Sequence, residues 1–251
     1  MNDELLVMRV LVLSAAHADR DLLRQAASRL TVPVEFFEAD TPAAAGRVIA
    51  DGVDLVVIDA PFAGAPAQPV IVAARGAAKP PFTVQLEAPG TPLASFAADG
   101  LAVKPAQPDT AQRLLRRALR VRLPRRVLVV DDSSTMRSIV KKILAATRFP
   151  LHVQEVGEGF AALKLVREVA FDLVFLDYNM PGFSGLETLS EFKREKRRVN
   201  VVIMTSTPDD SLAAQAREQG AFFLKKPFFP ADIDAVLCGF YGLKALNPNR
   251  T

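Results

Sequence analysis

Asp172-Leu-Val-Phe-Leu-Asp177 is the stretch on which the fold turns. Four consecutive apolar residues between two aspartates are too short for a helix and too continuous for a strand with one wet face. They read as a strand buried on both sides, the kind found in parallel sheets covered by helices. The same pattern stands earlier as Asp54-Leu-Val-Val-Ile-Asp59. Working outward, Val127-Leu-Val-Val130 precedes one copy and Val10-Leu-Val-Leu13 the other. Leu224-Lys-Lys-Pro227 follows one copy and Val103-Lys-Pro105 the other. The offsets are 117 residues at the first strand (10 to 127), 118 at the aspartate (59 to 177) and 122 at Lys-Pro (104 to 226). Loop variation accounts for that drift, so the chain is an internal repeat.

In the second copy, strands are expected at Val127 to Val130, Val153 to Glu155, Leu173 to Leu176, Val201 to Met204 and Phe222 to Leu224. Helical patterns fall between them at Ser134 to Ala146, Gly159 to Glu168, Ser184 to Lys196, Ser211 to Gln219 and Pro230 to Tyr241. Strict alternation of this kind predicts an α/β fold, with two flavodoxin-like, doubly wound (βα)5 domains in tandem. Expected boundaries are 1–123 and 125–245, divided at Pro124, with a short tail at 246–251.

A length of 251 residues supports two cores, and a composition 50% hydrophobic and 24% charged excludes a disordered chain. The single cysteine, Cys238, lies in an apolar run and reads as a buried thiol. Asp3, Glu4 and Arg9 disagree with an export signal, and no apolar run approaches the ~18 residues of a membrane span. A bacterial-type cytoplasmic protein is expected. The net charge of +3 is too mild to mark a nucleic-acid binder. Arg113, Arg116, Arg117 and Arg120 form one helical stripe opposite Leu115, Ala118 and Leu119, which reads first as a solvated helix face. Nucleic-acid binding through this stripe around Arg116 is the alternative reading; nucleic acid is not the expected partner.

Ligands of such sheets bind beyond the carboxyl ends of the strands. There the second copy places Asp131-Asp132, Asp177, Thr205-Ser206 and Lys225-Lys226-Pro227. Three carboxylates on one rim repel by ~4 kcal/mol per pair at ~4 Å and an effective dielectric of ~20. They call for a cation, and an all-oxygen donor set suits Mg2+, or Mn2+, better than zinc. A metal beside an aspartate, a hydroxyl and an ammonium points to phosphoryl transfer, with Asp177 as nucleophile and Lys226 and Thr205 toward the phosphoryl oxygens.

With Asp131-Asp132-Ser-Ser-Thr-Met-Arg137 and Asp177-Tyr-Asn-Met-Pro181 beside these positions, residues 125–245 resemble the receiver domain of bacterial two-component response regulators, and most of all the chemotaxis type. The resemblance implies Asp177 as phosphoacceptor, with Asp132, Asp177 and the backbone carbonyl of Asn179 as direct metal ligands and Asp131 either behind those ligands or joined to the metal through a water. It also implies Thr205 as switch hydroxyl, Lys226 as phosphate partner, and a cis Lys226–Pro227 bond. Phe223 occupies the place of the family's rotating aromatic, and as a Phe it lacks the hydroxyl a Tyr would present.

The first copy keeps Asp59 and Lys104, yet has Ser14 and Ala15 where the acid pair should be, Ala60-Pro61-Phe62 after the aspartate, and Glu87 with no clear switch hydroxyl. It is expected to be a degenerate pseudo-receiver without metal. Neither His17 nor His152 sits in a kinase-type pattern. The implied phosphoryl donor is therefore a sensor histidine kinase or a histidine phosphotransfer protein. The ten residues after Tyr241 are too few for an output domain, so the expected role is a response regulator acting by protein interaction or as a phosphate shuttle or sink. It would be no enzyme beyond its own phosphoryl transfer and dephosphorylation, with a homodimer possible through the arginine-bearing helix. An aspartyl-phosphate phosphatase of the haloacid dehalogenase type is a different reading. That family keeps an acid two residues after its nucleophile on the first strand, whereas Asp131 is followed by Asp132 and Ser133.

Overall fold

The computed structural model describes residues 7–62, 65–90, 97–197, 199–206 and 210–245. The chain divides into two compact units: residues 1–123 together with 241–251, and residues 124–240. The expected end of the second domain at 245 therefore moves to Phe240, because residues 241–245 pack with the first unit. The expected tail at 246–251 lies outside the described residues.

The first unit runs β1 (Met8–Leu13), α1 (His17–Ser28), β2 (Val34–Ala39), α2 (Pro42–Ala50), β3 (Leu55–Ile58), α3 (Gln68–Gly76), β4 (Phe82–Glu87), β5 (Gly100–Val103) and α4 (Pro108–Arg120). The second runs β6 (Arg125–Val130), α5 (Ser134–Ala146), β7 (Leu151–Val156), α6 (Gly159–Glu168), β8 (Leu173–Asp177), α7 (Gly185–Arg194), β9 (Asn200–Thr205), α8 (Asp210–Glu218), β10 (Phe222–Lys225) and α9 (Pro230–Phe240). Each unit holds one five-stranded sheet, ordered β2-β1-β3-β4-β5 in the first and β7-β6-β8-β9-β10 in the second. Every pairing within the two sheets is parallel. This is the flavodoxin-like order twice over, with the chain reversing direction across the sheet between β1 and β3 and again between β6 and β8.

Burial follows the sequence pattern. β3 and β8 are buried at every position, whereas the edge strand β7 leaves His152, Gln154 and Glu155 exposed. In the second unit Val174, Leu176, Leu128 and Val130 from the sheet pack with Leu163, Leu189 and Phe192 from α6 and α7. Polar residues set the helix starts. Ser133 caps α5 by accepting from the Met136 amide at 3.3 Å. Ser184 and Glu187 form a reciprocal capping box that starts α7 one residue later than the apolar pattern suggested. Between β4 and β5 the first unit has no α-helix among the described residues.

Gly185 ties the start of α7 to the end of β8. A Cβ there would sit 2.5 Å from the Asp177 carbonyl oxygen and 2.9 Å from Tyr178 Cα. Both neighbours are backbone and cannot swing aside. Gly185→Ala is expected to destabilise the second unit by about 1–3 kcal/mol, the usual cost of overpacking, in urea unfolding. The first unit should keep its midpoint.

Candidate functional site

The parallel register brings the strand ends level. Val130 pairs with Leu176, Asp177 with Met204, and Thr205 with Lys225. Asp131, Asp177, Thr205 and Lys226 therefore leave the same rim, beside the point where the connections from β6 and β8 run to opposite sides of the sheet. Asp131 is 1% exposed, Asp177 4% and Thr205 fully buried, while Asp132 is exposed. The Lys226 ammonium donates to Asp131 Oδ2 at 2.7 Å and to Asp177 Oδ1 at 2.8 Å. Its peptide bond to Pro227 is cis. The other Asp131 oxygen accepts from the Ser133 amide at 2.9 Å. Asn179 is exposed two residues beyond Asp177, and Phe223 is half-buried against the core of this unit.

Asp131, Asp132 and Asp177 each offer a carboxylate oxygen within 4.8 Å of the others. The donors are hard oxygens with no soft ligand among them, which fits Mg2+ or Mn2+. Burial raises the pKa of Asp177. Lys226 pulls it down through a hydrogen bond and its charge, and the neighbouring Asp131 and Asp132 add to the rise. Burial also works against the Lys226 ammonium, but its hydrogen bonds to Asp131 and Asp177 outweigh this and leave its pKa raised.

A guanidinium completes the rim. Arg137 donates to the carbonyl oxygens of Asp131 at 2.7 Å and Asp132 at 3.3 Å, holding the turn that presents both acids. Arg20 does the same in the first unit, to Ser14 at 2.6 Å and Ala15 at 3.1 Å. Sequence reasoning quoted Arg137 but gave it no role. The signal was present, since the two arginines lie 117 residues apart (20 to 137), the offset of the first strands.

The first unit closes the corresponding place on itself. Ser14 Oγ donates to Asp59 Oδ2 at 2.6 Å, and the Lys104 ammonium bridges Asp59 at 2.9 Å and Asp19 at 2.6 Å. The cavity these side chains line has about 10 Å3 of free volume, room for roughly one water. Asp19 was not foreseen. Its counterpart at the same offset is Met136, so comparing the copies hid it.

A family model described as the response regulator receiver domain matches residues 127–237. Chemotaxis protein CheY-3 of Vibrio cholerae is 34% identical over 113 residues, covering 43% of this chain and 85% of that protein. The chain belongs to the response regulator family. Chemotaxis protein CheY of Bacillus subtilis, 33% identical over 104 residues, covers 41% of this chain and 86% of its own length. Both matches span less than half of this response regulator. The likeness of the whole chain comes from a solved structure described as a probable two-component system response regulator/GGDEF domain protein. It has a TM-score of 0.57 and 21% identity, and the match covers 94% of this chain and 98% of that one. It shows the fold, two receiver-like sheets in tandem.

Two expectations follow for this response regulator. Asp177 has a raised pKa in the folded state, so the native fold favours its protonated form and that contribution to stability is lost as pH rises through the raised value. Without divalent cation, Asp177→Asn should therefore melt above wild type at neutral pH. The gap in melting temperature should close as pH falls through the Asp177 titration. In the first unit, Lys104→Met leaves Asp59, only 2% exposed, without its cation. Lys104 itself is about a quarter exposed, so the expected loss is about 2–3 kcal/mol, below the range for a fully buried pair. Mg2+ should not restore it in denaturant titrations.

Proposed function

We propose that the second unit accepts a phosphoryl group on Asp177 from a phosphohistidine and that the first unit is a receiver frame that has lost this chemistry. The observation that carries the reading is the buried Asp177 carboxylate, with an ammonium 2.8 Å away and two further acids within 4.8 Å. Asp131, Asp132, Asp177 and the backbone carbonyl of Asn179 are the groups that would hold the metal. A bound Mg2+ or Mn2+ supplies positive charge that neutralises the phosphoryl oxygens and the clustered acids.

In the transfer, a carboxylate oxygen of Asp177 attacks phosphorus and a P–O bond forms. The P–N bond to the donor imidazole breaks, and its electron pair returns to the ring nitrogen. Lys226 already lies against the nucleophile, so an incoming phosphoryl oxygen finds a cation in place without reorganisation. Thr205 ends the neighbouring strand and is the hydroxyl proposed to follow the new phosphate, with Phe223 on β10 as the side chain that moves with it. The donor proposed is a sensor histidine kinase or a histidine phosphotransfer protein.

The proposed output is a change in protein contacts or onward transfer of phosphate. No helix of the described residues is long and apolar enough to cross a membrane. A cytoplasmic location belongs to the proposal. The stripe Arg113, Arg116, Arg117 and Arg120 is exposed along α4, over buried Leu115, Ala118 and Leu119. Pairing of two copies through this face stands as a part of the proposal.

Incubation with acetyl phosphate and Mg2+ tests the assignment, with the acyl phosphate read by intact-protein mass. Wild type and Asp59→Asn should gain one phosphoryl group. Asp177→Asn and chelator-treated wild type should gain none, and label persisting in Asp177→Asn would overturn the assignment of the two units.

A further inference from the structure

In the second unit the Lys226 amide donates to the Thr205 carbonyl at 2.7 Å. In the first, the Lys104 amide donates to the Glu87 carbonyl at 2.8 Å. Thr205 pairs with Lys225, and Glu87 with Val103. Glu87 thus occupies in the first sheet the position that Thr205 holds in the second. It is only 4% exposed, and a carboxylate so buried needs a counter-charge. Lys104 is engaged by Asp59 and Asp19. The cation that reaches Glu87 is Lys244, from the segment that follows α9.

Four further features fasten that segment within the first unit. Lys244 and Leu101 exchange both backbone hydrogen bonds, each 2.8 Å, as an antiparallel bridge on β5, the edge strand of the sheet. Tyr241 and Leu243 are buried. Gly100 makes room for Leu243, whose Cδ1 would lie 3.3 Å from a Cβ at that position. Gly242, at φ +69°, turns the chain against Arg117, whose guanidinium carbon would lie 3.1 Å from an added Cβ.

We propose that residues 241–244 are a strap that locks the last strand of the first unit. The Lys244–Glu87 ion pair replaces a movable hydroxyl with a fixed charge contact, and the edge of β5 is filled by this chain's own segment. That edge would otherwise offer unpaired backbone groups to another chain. These contacts all lie within the first unit, so the inference is independent of the phosphoacceptor assignment.

Amide hydrogen exchange on the full chain tests this through Leu101, whose amide bonds to the strap. Lys244→Met and Leu243→Asp should each speed exchange at Leu101 by about tenfold or more, with β1, β3, β6 and β8 still protected. Glu87→Gln keeps the side-chain shape and removes the charge. Lys244→Met added to it should speed exchange no further than Glu87→Gln alone, which marks the two residues as one interaction. Wild-type protection at Leu101 in both Lys244→Met and Leu243→Asp would overturn the strap. Independent, additive effects of Glu87→Gln and Lys244→Met would overturn the ion pair as its lock.

Discussion

The contact on which the second unit depends is one ammonium shared by two buried carboxylates. Asp131 and Asp177 end strands that pair with the same register, so the sheet delivers their charges to one point whether or not that is favourable. Lys226 makes the arrangement tolerable by lying within 2.8 Å of both. Burial still leaves Asp177 harder to ionise than a free aspartate. Hard carboxylate oxygens gathered in this way fit a divalent cation. The electrostatic strain is built by the backbone, whose register sets the two strand ends level.

How much of this could be read from the sequence depended on what each residue answers to. Continuous apolar runs mark buried parallel strands, and their ends carried the acids, the threonine and the lysine, so the second sheet and the convergence of Asp131, Asp177 and Lys226 were legible. Both depend on local pattern and on a topology that admits few alternatives. The contacts that escaped are those made by long side chains to backbone or across large separations. Arg137 acts through carbonyl oxygens, which no residue pattern advertises. Asp19 reaches Lys104 across 85 positions, and Lys244 reaches Glu87 across 157. The end of the second unit was misplaced for the same reason. Residues 241–244 continue the apolar character of α9, and only the tertiary fold shows that they close a different sheet.

The two copies also separate frame from chemistry. Arg9 and Arg126 each donate a backbone amide to an aspartate ahead of the central strand, Asp54 and Asp172, at 3.0 Å in both cases. Arg20 and Arg137 clamp the turn after the first strand in both. These contacts lie at the start of the central strand and at the turn after the first strand in both units. The acid pair is different. It places like charges beside Asp177, within 4.8 Å of one another. In the first unit Ser14 stands in that place, and its hydroxyl gives Asp59 a hydrogen bond where the second unit has a like charge.

In the first unit Asp59, Asp19 and Glu87 each have a fixed charged contact. Asp59 has Ser14 and Lys104, and Lys104 has Asp19 besides. Glu87, placed where a neutral hydroxyl would have been satisfied by a single hydrogen bond, has Lys244. A carboxylate at that position cannot move between environments as a hydroxyl can, because leaving its cation would expose a buried unpaired charge. Substituting Glu for a hydroxyl residue thus exchanges mobility for a permanent attachment. The attachment reaches a segment beyond the second unit, so the chain enters that unit from the first and returns to the first when it leaves.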